Sequence, residues 1–301
     1  MKQRTLSKTY KFWGKGLHTG CYSHMSIKPA PVDTGIVFVR TDLGARIPAI
    51  AENVSSTSRS TTLSVGKASV CTVEHVLSAL TGLVVDNAIV EIDNKEVPIL
   101  DGSARLYVEN MAGDPFVEQD KERNYIEIDR ELLVENKKTG SWIRITPADA
   151  PSIDVTIDFN SRVLGIQKTH WDLSTDYVTG IGPCRTFCFL HEIQHLAALG
   201  LVKGGDVENA IVIVEKPLPE RKMARIARAF GQPNLSVTPA GYLSNLELRF
   251  PDECGRHKLL DIMGDIRLSG GFLKARVEAY KPGHSLNTQA ALEIRKLRIT
   301  K

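Results

Sequence analysis

The sequence predicts an α+β fold organised as two domains, and three observations carry this. Strand-like and helix-like stretches come in groups rather than in regular alternation, which disfavours a doubly wound parallel sheet. A polar stretch, AGDPFVEQDKERN, interrupts the pattern around residues 113–124, and a second β-rich run begins after it. The chain has 301 residues, enough for two cores.

The elements follow in order. SHMSIKPA and TGIVFVRTDL are short alternating or apolar β-rich runs broken by Pro and Gly. TVEHVLSALTG reads as a helix: Val73, Val76, Leu77 and Leu80 form a stripe of period 3.6, Thr72 stands near the N-cap, and Gly82 ends it. DNAIVEID is a strand, and VPILDGSA leaves it through a loop marked by Pro and Gly. After the polar break, YIEIDRELLVE, SWIRITPA and SIDVTIDF read as strands. A helix over 188–199, the strand ENAIVIVE, a long helix over 252–268 and the strand FLKARVEAY complete the chain. Helix, GLV and DNAIVEID in the first half are echoed by helix, GLV and ENAIVIVE in the second. That echo fits either a duplicated fold or two similar αβ units.

Composition excludes several classes. With 42% hydrophobic and 24% charged residues the chain reads as a soluble globular protein. A net charge of +3, with no long Lys/Arg block, argues against nucleic-acid binding. The start, MKQRTLSKTYKFWGKG, has basic residues but no apolar core, so it does not read as a secretory signal. No apolar run approaches the roughly 18 residues of a membrane span. The five scattered cysteines, Cys21, Cys71, Cys184, Cys188 and Cys254, fit a reducing cytoplasmic compartment. Cys184 and Cys188 lack C-x-x-C spacing and read as small apolar fillers.

The segment HEIQH, residues 191–195, fits H-E-x-x-H, in which two histidines on one helical face hold zinc beside a glutamate base. Such a site needs a third ligand. No histidine follows at the H-x-x-G-x-x-H spacing, and Glu215 ends an apolar β-like run instead of sitting on a second helix. Phe189, Ile193, Leu196 and Ala197 make the apolar stripe, with His191, Gln194 and His195 on the opposite side. A zinc peptidase and a merely solvated helix face therefore both stay open.

A second constellation is richer. TVEHVLSAL sets Glu74 beside His75 in the first turn of a helix, and RHKLLDIMGD sets His257, Asp261 and Asp265 on one face of another. KPGHSLN puts His284 in a Pro-Gly loop after a strand. Catalytic zinc takes three protein ligands and keeps an open position, so His75, His257 and Asp261 could serve, with Glu74 as base and His284 as a cationic partner. Asp265 suits a histidine partner. Ordinary capping and surface roles for the same residues are the competing reading.

These stretches resemble the zinc-dependent UDP-3-O-acyl-N-acetylglucosamine deacetylases of lipid A biosynthesis in Gram-negative bacteria. The likeness runs from GKGLHTG through TVEHVLSALTGLVVDNAIVEID, VPILDGSA, RTFCFLHEI, GLVKGGDVENAIV and LRFPDECGRHKLLDIMGD to AYKPGHSLN, nearly the whole chain. It implies two similar domains, 1–122 and 125–301, each a sheet layered with helices. The helices would face one another with the active site between, and a βαβ insert around 185–215 would form an acyl-chain passage. The implied metal ligands are His75, His257 and Asp261, with Zn2+ as cofactor, although such a set also accepts iron(II) or cobalt. The implied catalytic residues are Glu74 as base, His284 paired with Asp265, and Thr186 for the oxyanion. Lys258 and His18 would meet the substrate, and Phe187, Phe189, Ile193, Leu201 and Val202 would line the acyl passage. Cys254 and Gly255 depart from the larger apolar pair often found before the RHK motif, which opens a question of packing. The expected partner is an acylated UDP-N-acetylglucosamine, met by a cytoplasmic monomer. Some relatives carry a fused C-terminal dehydratase, and the sequence leaves open whether this chain is one part of such a protein. The rival functions are an HEIQH zinc peptidase and a non-catalytic binder of nucleotide sugars or acyl chains.

Overall fold

Alternation along the strands builds two sheets, each with one buried face. In the first half Met25 and Ile27 of Tyr22–Pro29, and Ala88, Val90 and Ile92 of Ala88–Ile92, point inward while their neighbours are more exposed. In the second half Ile143 and Ile145, Ile153, Val155 and Ile157, and Ala275, Val277 and Ala279 do the same. The computed structural model describes residues 1–123, 125–192, 209–229 and 232–299.

The two sheets have the same topology. The first runs in the order Tyr10–Lys15, Tyr22–Pro29, Ala88–Ile92, Ile36–Arg40, Ala45–Pro48. Its late strand Ala88–Ile92 lies in the centre, antiparallel to Tyr22–Pro29 and parallel to Ile36–Arg40. The second runs Leu132–Asn136, Ser141–Pro147, Phe272–Tyr280, Ser152–Asp158, Ile166–Asp172. There Phe272–Tyr280 takes the central place with the same two orientations. In both sheets two hairpins form first along the chain, and a later strand inserts between them just after a buried helix. Those helices are Glu74–Gly82 and Glu253–Ile266.

This corrects the repeat expected from ENAIVIVE. Ile211–Ile213 pairs in parallel with Phe187–Phe189 and bridges to Tyr242 on its other side, in a small ribbon outside the main sheets. The counterpart of DNAIVEID is FLKARVEAY, because position in the sheet, rather than local similarity, defines the repeat. Other expectations also shift. The polar stretch before Asn124 contains a strand: Val117–Glu122 pairs antiparallel with the N-terminal strand Lys2–Thr5. Thr72 does not cap its helix; Val73 holds that place without a side-chain bond, while the Thr72 hydroxyl donates to Glu96. His284 is not in a loop but opens the helix His284–Ile299. The helix expected from 188 begins as a strand, Phe187–Phe189, with helical residues at 190–192; its remainder lies outside the described residues. Arg105–Ala112, Tyr177–Gly180 and Glu220–Ala229 are further α-helices among the described residues.

Glu74–Gly82 and Glu253–Ile266 pack against each other, and every residue from Glu74 to Leu80 is buried. Gly264 permits the close approach: a Cβ there would sit 2.1 Å from the carbonyl oxygen of Glu74. Gly255 answers the packing question raised by the Cys-Gly pair. Strand Ile166–Asp172 crosses above it, where a Cβ would meet Thr169 at 3.0 Å, and its backbone N–H donates to Gln167 at 2.7 Å. No helix among the described residues is long and apolar enough to cross a membrane.

Candidate active site

Three side chains meet where the two buried helices cross. His75 comes from the first turn of Glu74–Gly82, and His257 and Asp261 lie one turn apart on Glu253–Ile266. One ligand atom from each lies within 4.8 Å of the other two, the only such group among the described residues. His257 Nε2 is 3.4 Å and His75 Nε2 3.8 Å from Asp261 Oδ1. Ligands held about 2.0 Å from a tetrahedral cation stand roughly 3.3 Å apart, so small side-chain adjustments close the set.

The electrostatics suit a cation. Burial lowers the His75 pKa to about 3 and also lowers that of His257, so both rings are neutral and offer lone pairs. His257 Nδ1 donates to the Cys184 carbonyl at 3.0 Å, which leaves Nε2 free to face the cluster. Burial would raise the Asp261 pKa, but the Lys258 cation first, with the His284 charge, holds it well below the carboxylate range. Its Oδ1 is buried and has no hydrogen-bond partner. An ionised, orphaned oxygen between two neutral imidazoles fits a divalent metal ion.

A proton-handling set adjoins this group. Glu74 is buried, and its Oε2 accepts the Thr61 backbone N–H at 3.0 Å. Burial raises its pKa to about 7, against the lowering effect of the His284 charge. His284 Nε2 lies 3.8 Å from Glu74 Oε1, while its Nδ1 donates to Asp265 Oδ2 at 2.9 Å. Burial would lower the His284 pKa, but the charges of Asp265 and Glu74 and the Asp265 hydrogen bond outweigh it and raise it to about 9. Asn287 Nδ2 and the Thr61 hydroxyl donate to Asp265 at 2.8 and 2.6 Å.

The remaining expected residues sort themselves by distance. Lys258 Nζ pairs with Asp261 Oδ2 at 2.7 Å and lies 5.6 Å from the centre of the Phe187 ring. Phe187 is 6.4 Å from the His257 ring, and Thr186 immediately precedes it, half-buried. Half-buried His18 receives a hydrogen bond from Arg59 and has its pKa lowered to about 4, by burial first and the Arg59 charge second. Phe189 is buried beside Phe187 in an aromatic group. Ile193, Leu201 and Val202 lie outside the described residues, as does His195. His191 and Glu192 are exposed, and Glu192 accepts the Phe189 backbone N–H at 3.0 Å.

Sequence reasoning missed four residues here. Thr61 ties the Glu74 carboxylate to Asp265 through its backbone and hydroxyl, and no local pattern marks it. Asn287 stands three residues past His284 on the same helix, a spacing that could have been read. Phe159 packs edge-on against Phe187, 5.5 Å between ring centres. Fully buried Glu96 accepts the backbone N–H groups of His18 and Thr19 at 2.8 and 2.7 Å and the Thr72 hydroxyl at 3.0 Å. It thereby joins the His18 loop to the residue two before Glu74, and it holds Thr72 in a left-handed conformation, φ 61°.

Comparison with known proteins identifies the family. The family model described as LpxC, UDP-3-O-acyl N-acetylglycosamine deacetylase, matches residues 3–232 and 221–296. A bifunctional enzyme LpxC/FabZ of Chlorobaculum tepidum is 40% identical over 299 residues, which cover 98% of this chain and 64% of that protein. A UDP-3-O-acyl-N-acetylglucosamine deacetylase of Saccharophagus degradans is 40% identical, covering 98% of this chain and 90% of the relative. One of Pseudomonas entomophila is 41% identical, covering 96% and 88%. The chain thus spans about 64% of the bifunctional relatives and most of the single-function ones. With the match extending across both sheets and both helices, the chain belongs to the LpxC, UDP-3-O-acyl N-acetylglycosamine deacetylase, family.

Proposed function

We propose that this chain hydrolyses the N-acetyl group of a UDP-3-O-acyl-N-acetylglucosamine, releasing acetate and the free glucosamine amine, as a step of lipid A biosynthesis. The observation that carries the reading is the meeting of the His75, His257 and Asp261 ligand atoms beside Glu74 and the His284–Asp265 pair. His75, His257 and Asp261 would hold the metal, zinc by their N/O chemistry, with iron(II) as an alternative. Such a cation supplies Lewis acidity, lowering the pKa of water and polarising the carbonyl.

The protein's own groups do the rest. Glu74, with a pKa near neutrality, takes a proton from the attacking water. The C–O bond forms, the amide C–N bond breaks, and protonated His284 delivers a proton from Nε2 to the departing nitrogen. Asp265, oriented by Thr61 and Asn287, keeps His284 charged. The Thr186 hydroxyl stabilises the oxyanion, an effect of roughly 3–4 kcal/mol per good donor in other enzymes. Lys258 and His18 contact the sugar nucleotide, and Phe187, Phe189 and Phe159 meet the acyl chain, as would Ile193, Leu201 and Val202, which lie outside the described residues. The chain divides into domains 1–122 and 125–301 and works in the cytoplasm as a monomer; its five free cysteines fit that compartment.

Acetate release from the acylated UDP-sugar, with and without chelator, tests this reading. Turnover should vanish on metal removal and return on readdition. His257→Ala should lose bound metal while His191→Ala keeps it; the reverse pattern would overturn the assignment in favour of an HEIQH site. Substrate binding without turnover in metal-loaded protein would make the chain a binder.

A further inference from the structure

We infer that the protein has a second ligand site, for a single-chain fatty carboxylate, in a cavity at the far ends of the two central helices. The cavity has a volume of about 720 Å3, within the range of small-molecule sites. Thr81 and Gly82, at the C-terminal end of Glu74–Gly82, and Met263 and Ile266, in the last turn of Glu253–Ile266, form part of its wall. Ile153, Trp171, Phe272 and Val277 supply much of the rest from the second sheet. None of the residues grouped around His75, His257 and Asp261 lines it, nor does Phe187 or Phe189, so it is separate from the acetyl-cleaving site and its aromatic approach.

The wall is mainly apolar, but it carries a buried cation without an anion of its own. Arg123 and Arg267 both stack on Phe272, 4.5 and 4.0 Å from its ring centre. The nearby carboxylate, Asp86, is taken by Arg123 through Nε at 2.8 Å and Nη2 at 2.6 Å. Arg267 Nη2 donates to the backbone carbonyl oxygens of Val85 and Asp86, at 3.0 and 3.1 Å, and its Nη1 has no hydrogen-bond partner among the described residues. Burial lowers its pKa to about 10, which leaves it charged at neutral pH. The indole Nε1 of Trp171, on the same cavity, is a second buried donor without a partner. Lys2 and Lys274 at the rim already pair with Asp120 and Glu127.

Two guanidinium groups thus share one carboxylate beside an apolar space. A buried unpaired charge and an unfilled donor are both unfavourable, and an anion relieves both. A free inorganic anion would leave the apolar wall wet, and a neutral hydrocarbon would leave the donors unmet. One anionic head on one apolar tail satisfies both halves of the cavity. Leu173, 67% exposed, contributes an apolar side chain to the lining and suits the outer end of such a tail.

The chain contains three tryptophans, Trp13, Trp142 and Trp171, so Trp13→Phe with Trp142→Phe leaves Trp171 as the sole reporter. Titration of that full-length variant with bromododecanoate, below its micelle concentration, should quench Trp171 saturably. The bromoalkanol of equal length should bind at least tenfold more weakly. Leu173→Asp, which sets a charge against the tail, should weaken carboxylate binding at least tenfold without changing the melting temperature, whereas Leu173→Met, which keeps the apolar contact, should not. Arg267→Gln should erase the preference for carboxylate over alcohol; if that variant fails to fold, the Leu173 pair still decides. Quenching that never saturates, that is equal for the alcohol, or that is indifferent to Leu173→Asp overturns the proposal.

Discussion

Glu74 and His284 sit 3.8 Å apart with both pKa values raised, to about 7 by burial and to about 9 by the neighbouring carboxylates. Such a pair can hold one proton on the histidine while the carboxylate stays available as a base. Replacing Glu74 by Gln keeps size and removes basicity. A fall in kcat of roughly 10²–10⁴-fold, with bound metal unchanged, is expected from steady-state kinetics and metal analysis. Retained turnover would remove Glu74 from the chemistry. His284 has a raised pKa, so its charge is present below about pH 9 and is lost as pH rises through that value. The kcat/KM profile should accordingly fall on an alkaline limb near pH 9. Asp265→Asn removes the anion that raises the pKa and should move that limb to lower pH; an unmoved limb would show that His284 does not set it.

At the scale of elements, the site depends on how closely two helices can pass. Gly264 lies against the Glu74 carbonyl, and backbone cannot swing aside as a side chain can. Gly264→Ala therefore forces the helices apart, at an overpacking cost of about 1–3 kcal/mol. A lowered melting temperature together with lost activity is expected, because the displaced helix carries both Glu74 and His75. Gly113→Ala is the control: it faces open space at a helix end and should be near neutral. Equal effects of the two would deny the close approach any special role.

For the molecule as a whole, the proposed metal ligands come from both halves of the chain, His75 from one and His257 with Asp261 from the other. A bound ion would cross-link two sheets of equal topology through their buried helices. Ligand present at a hundredfold its dissociation constant stabilises the folded state by about 2.7 kcal/mol. Chelation should thus lower the melting temperature by several degrees, and His257→Ala should make melting insensitive to chelator. A melting point that chelator leaves unchanged in the unsubstituted chain would argue against a metal shared between the halves.

Much of this was legible from sequence because it depends on local order. Alternation marked the strands, the 3.6 period marked the two central helices, and RHKLLDIMGD set His257 and Asp261 one turn apart on a shared face. The family likeness then named the ligand set that spacing alone had left open. Other features depend on residues far apart in the chain. Thr61 reaches Asp265 across 204 positions, and Phe272–Tyr280 inserts between two hairpins that lie far earlier in the chain. Local similarity pointed instead to ENAIVIVE, and the H-E-x-x-H match drew attention to His191, which is exposed. The sequence by itself determined the elements and the chemistry each could offer, since those follow from short-range periodicity and side-chain type. Only the tertiary structure decided which carboxylate is orphaned, which histidine is charged and which arginine lacks an anion, since those depend on burial and on neighbours brought together by the fold.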